Sequence, residues 1–239
     1  MRTIDPQMTL GALVNADPDL AREFERRGMD YCCGGGQSLA DACEERGLDP
    51  AVTVSELTAA SVIGEAAEWS SMGATALVDH LEATHHRYLW DELPRLSALV
   101  AKVVSVHGER HPELHAIAAC FAETRADLEP HLSKEEQVLF PMIRELATAS
   151  SAPSFHCGTL QNPISVMLRE HDAVGELLAH LRQLTNGYLP PADGCASYVT
   201  CFAALAELEA DTHLHIHKEN NLLFPLVVRM ESELPRLAR

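Results

Sequence analysis

Two segments of the chain carry the same pair of metal-binding side chains at the same spacing. His131 and Glu135 are four residues apart in "HLSKE", and His215 and Glu219 are four apart in "HIHKE". On a helix, positions i and i+4 share a face one turn apart, so each segment can present an imidazole and a carboxylate to one spot. The likeness extends further. "ADLEPHLSKEEQVLFPMI" from Ala126 and "ADTHLHIHKENNLLFPLV" from Ala210 share Ala, Asp, His, Lys, Glu, Leu, Phe and Pro at matching positions, offset by 84 residues. His86 precedes His131 by 45 residues, and His171 precedes His215 by 44. Each half therefore reads as one helix with a histidine followed by a second with His-x-x-x-Glu. Chance similarity between amphipathic helices explains this poorly, because the shared polar residues sit at fixed offsets.

Four histidines and two glutamates directed into one bundle suit two metal ions. Two facing carboxylates can bridge the ions, and each ion then takes two imidazole nitrogens, two bridging oxygens and a solvent-derived oxo or hydroxo bridge. One position per ion stays open for a small molecule. Mixed nitrogen and oxygen donors suit iron, with manganese or zinc as alternatives. Carboxylate-rich di-iron bundles use paired Glu-x-x-His motifs. Here that motif occurs only as Glu82 and His85, so a ferroxidase of that type is disfavoured. Asp127 and Asp211 stand one turn before His131 and His215, where each can orient a ligand through its second ring nitrogen or be a plain surface acid.

The other histidines are weaker candidates. His85 adjoins His86 and competes with it, while His80 is a candidate pocket residue. His213 and His217 are expected to face solvent or to support the ligands. On one straight helix His107 lies about 31 Å from His86 at about 1.5 Å per residue, so it reaches the metals only if the chain turns back after Pro94. His111, His115, His156 and His180 show no ligand-like pairing. Phe140-Pro141 and Phe224-Pro225 are expected to pack and bend the helices below the site.

The elements that must position these groups are helical. Long helices are expected near 75–106, 112–148, 162–185 and 195–230, broken by "HGERHP", "ASSAPSFHCG" and "NGYLPPADG". Four long helices with short connections read as an up-down bundle. Residues 1–50 read as a small helical domain. Thr9, Asp17 (followed by Pro18) and Ser38 are expected caps, and Gly28 and Gly47 are expected helix ends. Residues 51–73 are read as a linker with at most one short helix, and 74–239 as the bundle. The fold class is all-α.

Composition narrows the function. Apolar residues make up 46% of the chain, enough for a packed core, while aromatics are only 5%, which with the abundant Ala and Leu favours helices. A net charge of −17 repels phosphate backbones, so nucleic-acid binding is not expected. The N-terminus lacks the apolar core of a signal peptide, and no run of about 18 apolar residues exists, so neither export nor a membrane span is expected. Seven cysteines in such a chain are expected to be mostly reduced, in a cytoplasmic protein.

The motifs resemble those of the iron–sulfur cluster repair di-iron proteins, the repair-of-iron-centres family, over most of the chain. "MDYCCGGGQSLADAC" is similar to that family's N-terminal cysteine domain. "HHRYLWDELP", "HLSKEEQVLFPMI", "PISVMLREHDAVGELL" and "HKENNLLFPLV" are similar to its hemerythrin-like bundle, in the same order. The resemblance implies iron ligands at His86, His131, Glu135, His171, His215 and Glu219, with both glutamates bridging an oxo- or hydroxo-bridged pair of irons. It matches His107 to a further histidine of the family. The implied function is repair of iron–sulfur clusters damaged by nitrosative or oxidative stress, by supplying iron. Protonating or displacing a bridge would weaken the site and release iron, and Glu170, beside His171, is a candidate for moving a proton or an ion. Damaged iron–sulfur proteins or cluster-assembly proteins are the implied partners, and a homodimer is an allowed assembly. Two alternatives remain open: an enzyme reducing or binding nitric oxide, and a hemerythrin-like oxygen carrier or sensor. Whether the protein is an enzyme is left undecided.

"DYCCGGGQSL" holds Cys32 and Cys33 between two helices. The bundle has a full ligand set without them. A glycine-rich turn before a helix N-terminus can lower a thiol pKa and admit another backbone, sulfur or metal. A redox or transfer role is favoured, followed by partner contact or disulfide exchange; a glycine turn with buried cysteines is the plain alternative.

Overall fold

The Ala-, Leu- and Glu-rich segments fold as helices throughout a computed structural model that describes residues 4–60 and 68–235. The described residues contain no strand; pairing is limited to isolated bridges between Thr9 and Ser38 and between Phe155 and Gly158. The N-terminal helices are α1 (Leu10–Ala16), α2 (Leu20–Arg27), α3 (Leu39–Glu45) and α4 (Pro50–Ala60). The longer segments hold α5 (Ala74–Leu81), α6 (Arg87–His107), α7 (Glu113–Lys134), α8 (Phe140–Thr148), α9 (Gln161–Leu184), α10 (Ala196–Lys218) and α11 (Phe224–Glu233). Their ends fall within a few residues of the expected long helices. In the stretch read as a linker, α4 and a short 3-10 turn at Glu68–Ser71 are formed, and 61–67 lie outside the described residues.

Three of the long segments widen into a π turn, at Glu82–His86, Glu135–Leu139 and Glu219–Leu223. Each closes with an i to i+5 hydrogen bond: Arg87 N–H to the Glu82 carbonyl, Phe140 N–H to Glu135, and Phe224 N–H to Glu219. Pro141 and Pro225 lie two residues beyond the last residue of two of these turns. Proline has no N–H and its ring crowds the carbonyl four residues back, a conflict that a widened turn relieves. The turn at Glu82–His86 has no such proline. All three share a buried histidine or glutamate within the turn, and π turns are frequent at functional sites.

The chain divides into two compact units. One comprises Leu81–Met142 and Asn162–Thr212. Its core draws on four helices: Leu89, Leu93 and Leu96 of α6, Ile117, Phe121 and Leu128 of α7, Val174, Leu178 and Leu181 of α9, and Tyr198, Phe202 and Leu205 of α10. Connections of a few residues between α6 and α7, and of about a dozen between α9 and α10, make those neighbours antiparallel. Repetition of apolar residues every three or four positions fixes which face of each helix turns inward. α6 runs unbroken through Pro94 to His107, so the chain does not turn back there.

The other unit comprises Met1–His80, Ile143–Gln161 and His213–Arg239, and so takes in more than the first 50 residues. Thr9 Oγ1 accepts from Ala12 N–H and Ser38 Oγ from Asp41 N–H, as their cap positions require. Asp17 does not cap α2 directly; its carboxylate accepts from Asp19 N–H, and α2 starts at Leu20. Gly28 ends α2 at φ 64°, with Met29 N–H bonded back to Phe24, the left-handed ending for which glycine is favoured.

Candidate metal centre

In the four-helix unit, α7 and its π turn hold His131 and Glu135 one turn apart, and His131 Nε2 lies 3.3 Å from Glu135 Oε2. The turn before α6 brings His86 Nε2 to 3.5 Å from the same oxygen. From α9, His171 places its Nε2 3.1 Å from His131 Nε2. One donor atom each from His131, Glu135 and His171 falls within 4.8 Å of the others. Two metal–imidazole bonds of about 2.1 Å meeting near a right angle place their nitrogens about 3.0 Å apart, so the His131 and His171 spacing fits a shared ion. All four side chains are buried, with Glu135 at 0% exposure. A buried carboxylate is costly without a compensating cation, and a metal ion supplies one.

In the other unit, the same spacing at the end of α10 sets His215 Nε2 3.1 Å from Glu219 Oε1, both buried. The π turn at Glu219–Leu223 comes directly after, as the turn at Glu135–Leu139 does in the first half of the repeat.

The far nitrogens of the ligand-type histidines have defined acceptors. His131 Nδ1 bonds Glu170 Oε2 at 2.9 Å, and Lys134 pairs with the other Glu170 oxygen. His131 first, then Lys134, hold the Glu170 carboxyl down at about 2, so it is an anion at neutral pH. His86 Nδ1 bonds Glu136 Oε1 at 3.0 Å, and Trp90 Nε1 donates to that oxygen at 2.8 Å. Such acceptors fix the ring orientation and raise ligand basicity.

The supporting acids differ from those expected. Asp127 is exposed, and Glu170 from the neighbouring helix occupies the role read for it beside His131. Asp211 accepts from His85 Nδ1 at 2.8 Å, so His85, although buried, is engaged at Asp211 while His86 faces Glu135. Glu136 escaped sequence reasoning, though its place beside Glu135 was a usable signal. His107 is buried at the end of α6, with Nε2 3.1 Å from Cys195 Sγ, far along the helix from His86.

His217 is not solvent-facing. It is fully buried, bonded through Nε2 to Asn15 Oδ1 at 2.9 Å and through Nδ1 to the Tyr31 carbonyl at 3.2 Å. Burial first, opposed by that carbonyl, pulls its pKa down to about 4. His213 lies 3.7 Å from Glu25, and Lys218 Nζ donates to His80 Nε2 at 2.9 Å while lying over the Trp69 ring.

The cysteine segment is built around Asp30. Its carboxylate accepts from the N–H groups of Cys32, Cys33 and Gly34 at 3.0, 2.9 and 2.8 Å, and from the Cys32 thiol at 3.2 Å. The two sulfurs are 3.9 Å apart. The Cys32 thiol pKa is raised, not lowered: Cys33, burial and the Asp30 charge all oppose a thiolate. Gly35 is required by close approach, since a Cβ there would stand 2.5 Å from the Tyr31 carbonyl oxygen and 2.5 Å from Asn221 Oδ1.

Helices whose buried histidines and glutamates fit a cation define a hemerythrin-type cation-binding protein. Residues 77–227, which include all six candidate ligands, match the hemerythrin HHE cation-binding domain family. Residues 6–61 match a further family, ScdA_N, described as a domain of unknown function. The iron-sulfur cluster repair proteins YtfE of Yersinia pseudotuberculosis serotype IB (strain PB1/+) and Yersinia pestis (strain Pestoides F) are each 35% identical over 225 residues, covering 93% of this chain and 97% of theirs. The chain belongs to the family of these iron-sulfur cluster repair proteins. No helix among the described residues is long and apolar enough to cross a membrane.

Proposed function

We propose that the chain is a di-iron protein that restores damaged iron–sulfur clusters by supplying iron. The observation that carries this reading is the convergence of buried donors: His86, His131 and His171 around Glu135, and a second His and Glu pair of identical spacing in His215 and Glu219. In this reading the six side chains are the ligands of a pair of irons. The repeat supports it, as does the family match that runs through all six residues. The name of the relatives favours repair over nitric oxide reduction or oxygen carriage.

Bound iron would supply Lewis acidity and redox chemistry at an exchangeable coordination position. The rest belongs to the protein. Glu136 and Glu170 hold the His86 and His131 rings by their Nδ1 atoms, leaving both Nε2 atoms directed at Glu135. Protons compete with metal for these imidazoles and carboxylates, so acidification favours release of iron as cargo. In this reading Cys33, the more exposed of the pair, serves redox or partner exchange, with Cys32 as its buried neighbour, in a segment bonded to the turn that carries Glu219.

Purified protein is expected to hold about two irons per chain, on the ligand count argued above. Iron-loaded protein should restore a nitric-oxide-damaged cluster enzyme beyond the recovery that the same amount of free iron achieves. Zinc alone, no metal, or recovery equal to free iron would overturn the proposal. Glu135→Ala should lose iron while its helical circular dichroism is retained.

A further inference from the structure

We propose that Cys195 is a reactive thiol, activated by His107, that exchanges with low-molecular-weight disulfides. Both residues lie in the four-helix unit, and neither belongs to the donors around Glu135. Cys195 is exposed and stands just before α10, where its carbonyl accepts from Val199 N–H at 3.0 Å. It therefore occupies the N-cap of a 23-residue helix. The positive end of the helix dipole favours negative charge there.

The second, independent observation is His107. Its side chain is 4% exposed, and its Nε2 lies 3.1 Å from Cys195 Sγ. Its Nδ1 is buried and meets no hydrogen-bonding partner among the described residues. A buried N–H without an acceptor is more costly than a bare ring nitrogen beside apolar atoms, so the ring proton belongs on Nε2, facing sulfur. A negatively charged sulfur accepts such a bond more strongly than a neutral one does, so the His107 N–H favours charge on Cys195 Sγ. Tyr198 packs edge-on against the ring, with centroids 5.4 Å apart, and holds it in place. The charged groups at this corner compensate one another. Asp193 pairs with His111 at 3.1 Å and with Arg110 at 3.8 Å, and Glu113 pairs with His111 at 3.0 Å.

Other thiols of the chain lack this combination. Cys120 and Cys201 are buried. Cys120 gives its S–H to the Leu177 carbonyl.

The reaction is disulfide exchange. The Cys195 proton goes to solvent, and the thiolate attacks one sulfur of the incoming disulfide. The new S–S bond forms as the old one breaks, and the departing thiolate takes a proton from water. The product is a mixed disulfide on Cys195 and one equivalent of free thiol. The bulk added there lies beside His107 and Tyr198, at the end of α6 and the start of α10.

The test uses the full-length chain with glutathione disulfide, and iodoacetamide as a second electrophile, at neutral pH. Peptide mass spectrometry reads each cysteine. Cys195 should react severalfold faster in the folded chain than in the urea-unfolded chain. His107→Leu should remove most of that advantage. His107→Gln, whose amide can still donate to sulfur, should keep a large part of it. Equal Cys195 rates in folded and unfolded chain, or in the unsubstituted chain and His107→Leu, overturn the proposal. Equal loss in the Leu and Gln variants, both shown to fold by circular dichroism, overturns the hydrogen-bond basis for it.

Discussion

Asn221 donates its Nδ2–H to the carbonyl oxygen of Cys32 across 2.9 Å. Asn221 stands two residues after Glu219, inside the same π turn, and Asn220 reaches the same carbonyl at 3.4 Å. A segment from near the N-terminus is thus fastened to the turn that carries a candidate metal ligand. The backbone of the cysteine pair, not its sulfur, makes this bond.

The fastening depends on the missing side chain at Gly35. Gly35→Ala puts a methyl group 2.5 Å from the Tyr31 carbonyl oxygen. The backbone must shift, and the expected cost is about 1–3 kcal/mol. Gly36 has open space around the same position, so Gly36→Ala should stay within about 0.5 kcal/mol of the unsubstituted protein. Chemical denaturation of the two variants side by side measures the difference.

Glu170 orients His131 while Asp127 faces solvent. Glu170→Gln leaves a neutral acceptor for Nδ1 and breaks the pairing with Lys134. Loss of such a supporting carboxylate lowers metal affinity by about 10- to 100-fold. Asp127→Asn should leave affinity unchanged. Competition with a chelator, read by metal analysis, distinguishes the two.

His217 makes the unit that holds the cysteine segment sensitive to acid. Its folded pKa is about 4, against about 6.5 in an unfolded chain. Between those values the unfolded chain binds the extra proton and the folded one does not, so stability rises with pH there. This contribution is fully present above about pH 6.5 and is lost as pH falls toward 4. The full span corresponds to about 3 kcal/mol at most. Unfolding midpoints across this range should show a shallower pH slope in His217→Gln.

Cys32 should resist alkylation in the folded protein. It is buried, gives its S–H to Asp30, and has its pKa pushed well up. Cys33 is half-buried and should react before Cys32. In Asp30→Asn the negative charge beside the thiol is gone, and Cys32 should react faster. Time-resolved peptide mass spectrometry with iodoacetamide checks both. Equal rates for Cys32 in the folded and urea-unfolded chain would contradict this account.

The six candidate ligands stand out in the sequence through a local pair and its repetition. His-x-x-x-Glu is one helical turn, and a repeat of 84 residues copied it with its neighbours. Helix limits were legible from turn formers such as "NGYLPPADG". The π turns were not. Each inserts one extra residue into a helical turn and rotates the face of the downstream residues, without altering the apolar repeat enough to be read. The partners of the ring nitrogens were not legible either. A local rule put Asp127 and Asp211 with the histidines one turn on. The packing of neighbouring helices instead brought Glu170 to His131 and Asp211 to His85.

By itself the sequence determined an all-α chain and the positions of its long helices, and it singled out six candidate ligands, because these signals lie in spacing along a helix and in an internal repeat. Tertiary structure decided which acids orient the ligands, that His217 is buried and neutral, that Cys32 is a protected thiol, and that Cys195 meets His107. Those outcomes depend on side chains far apart in sequence being desolvated together. The free energy of a buried charge or hydrogen bond is set by its surroundings in space.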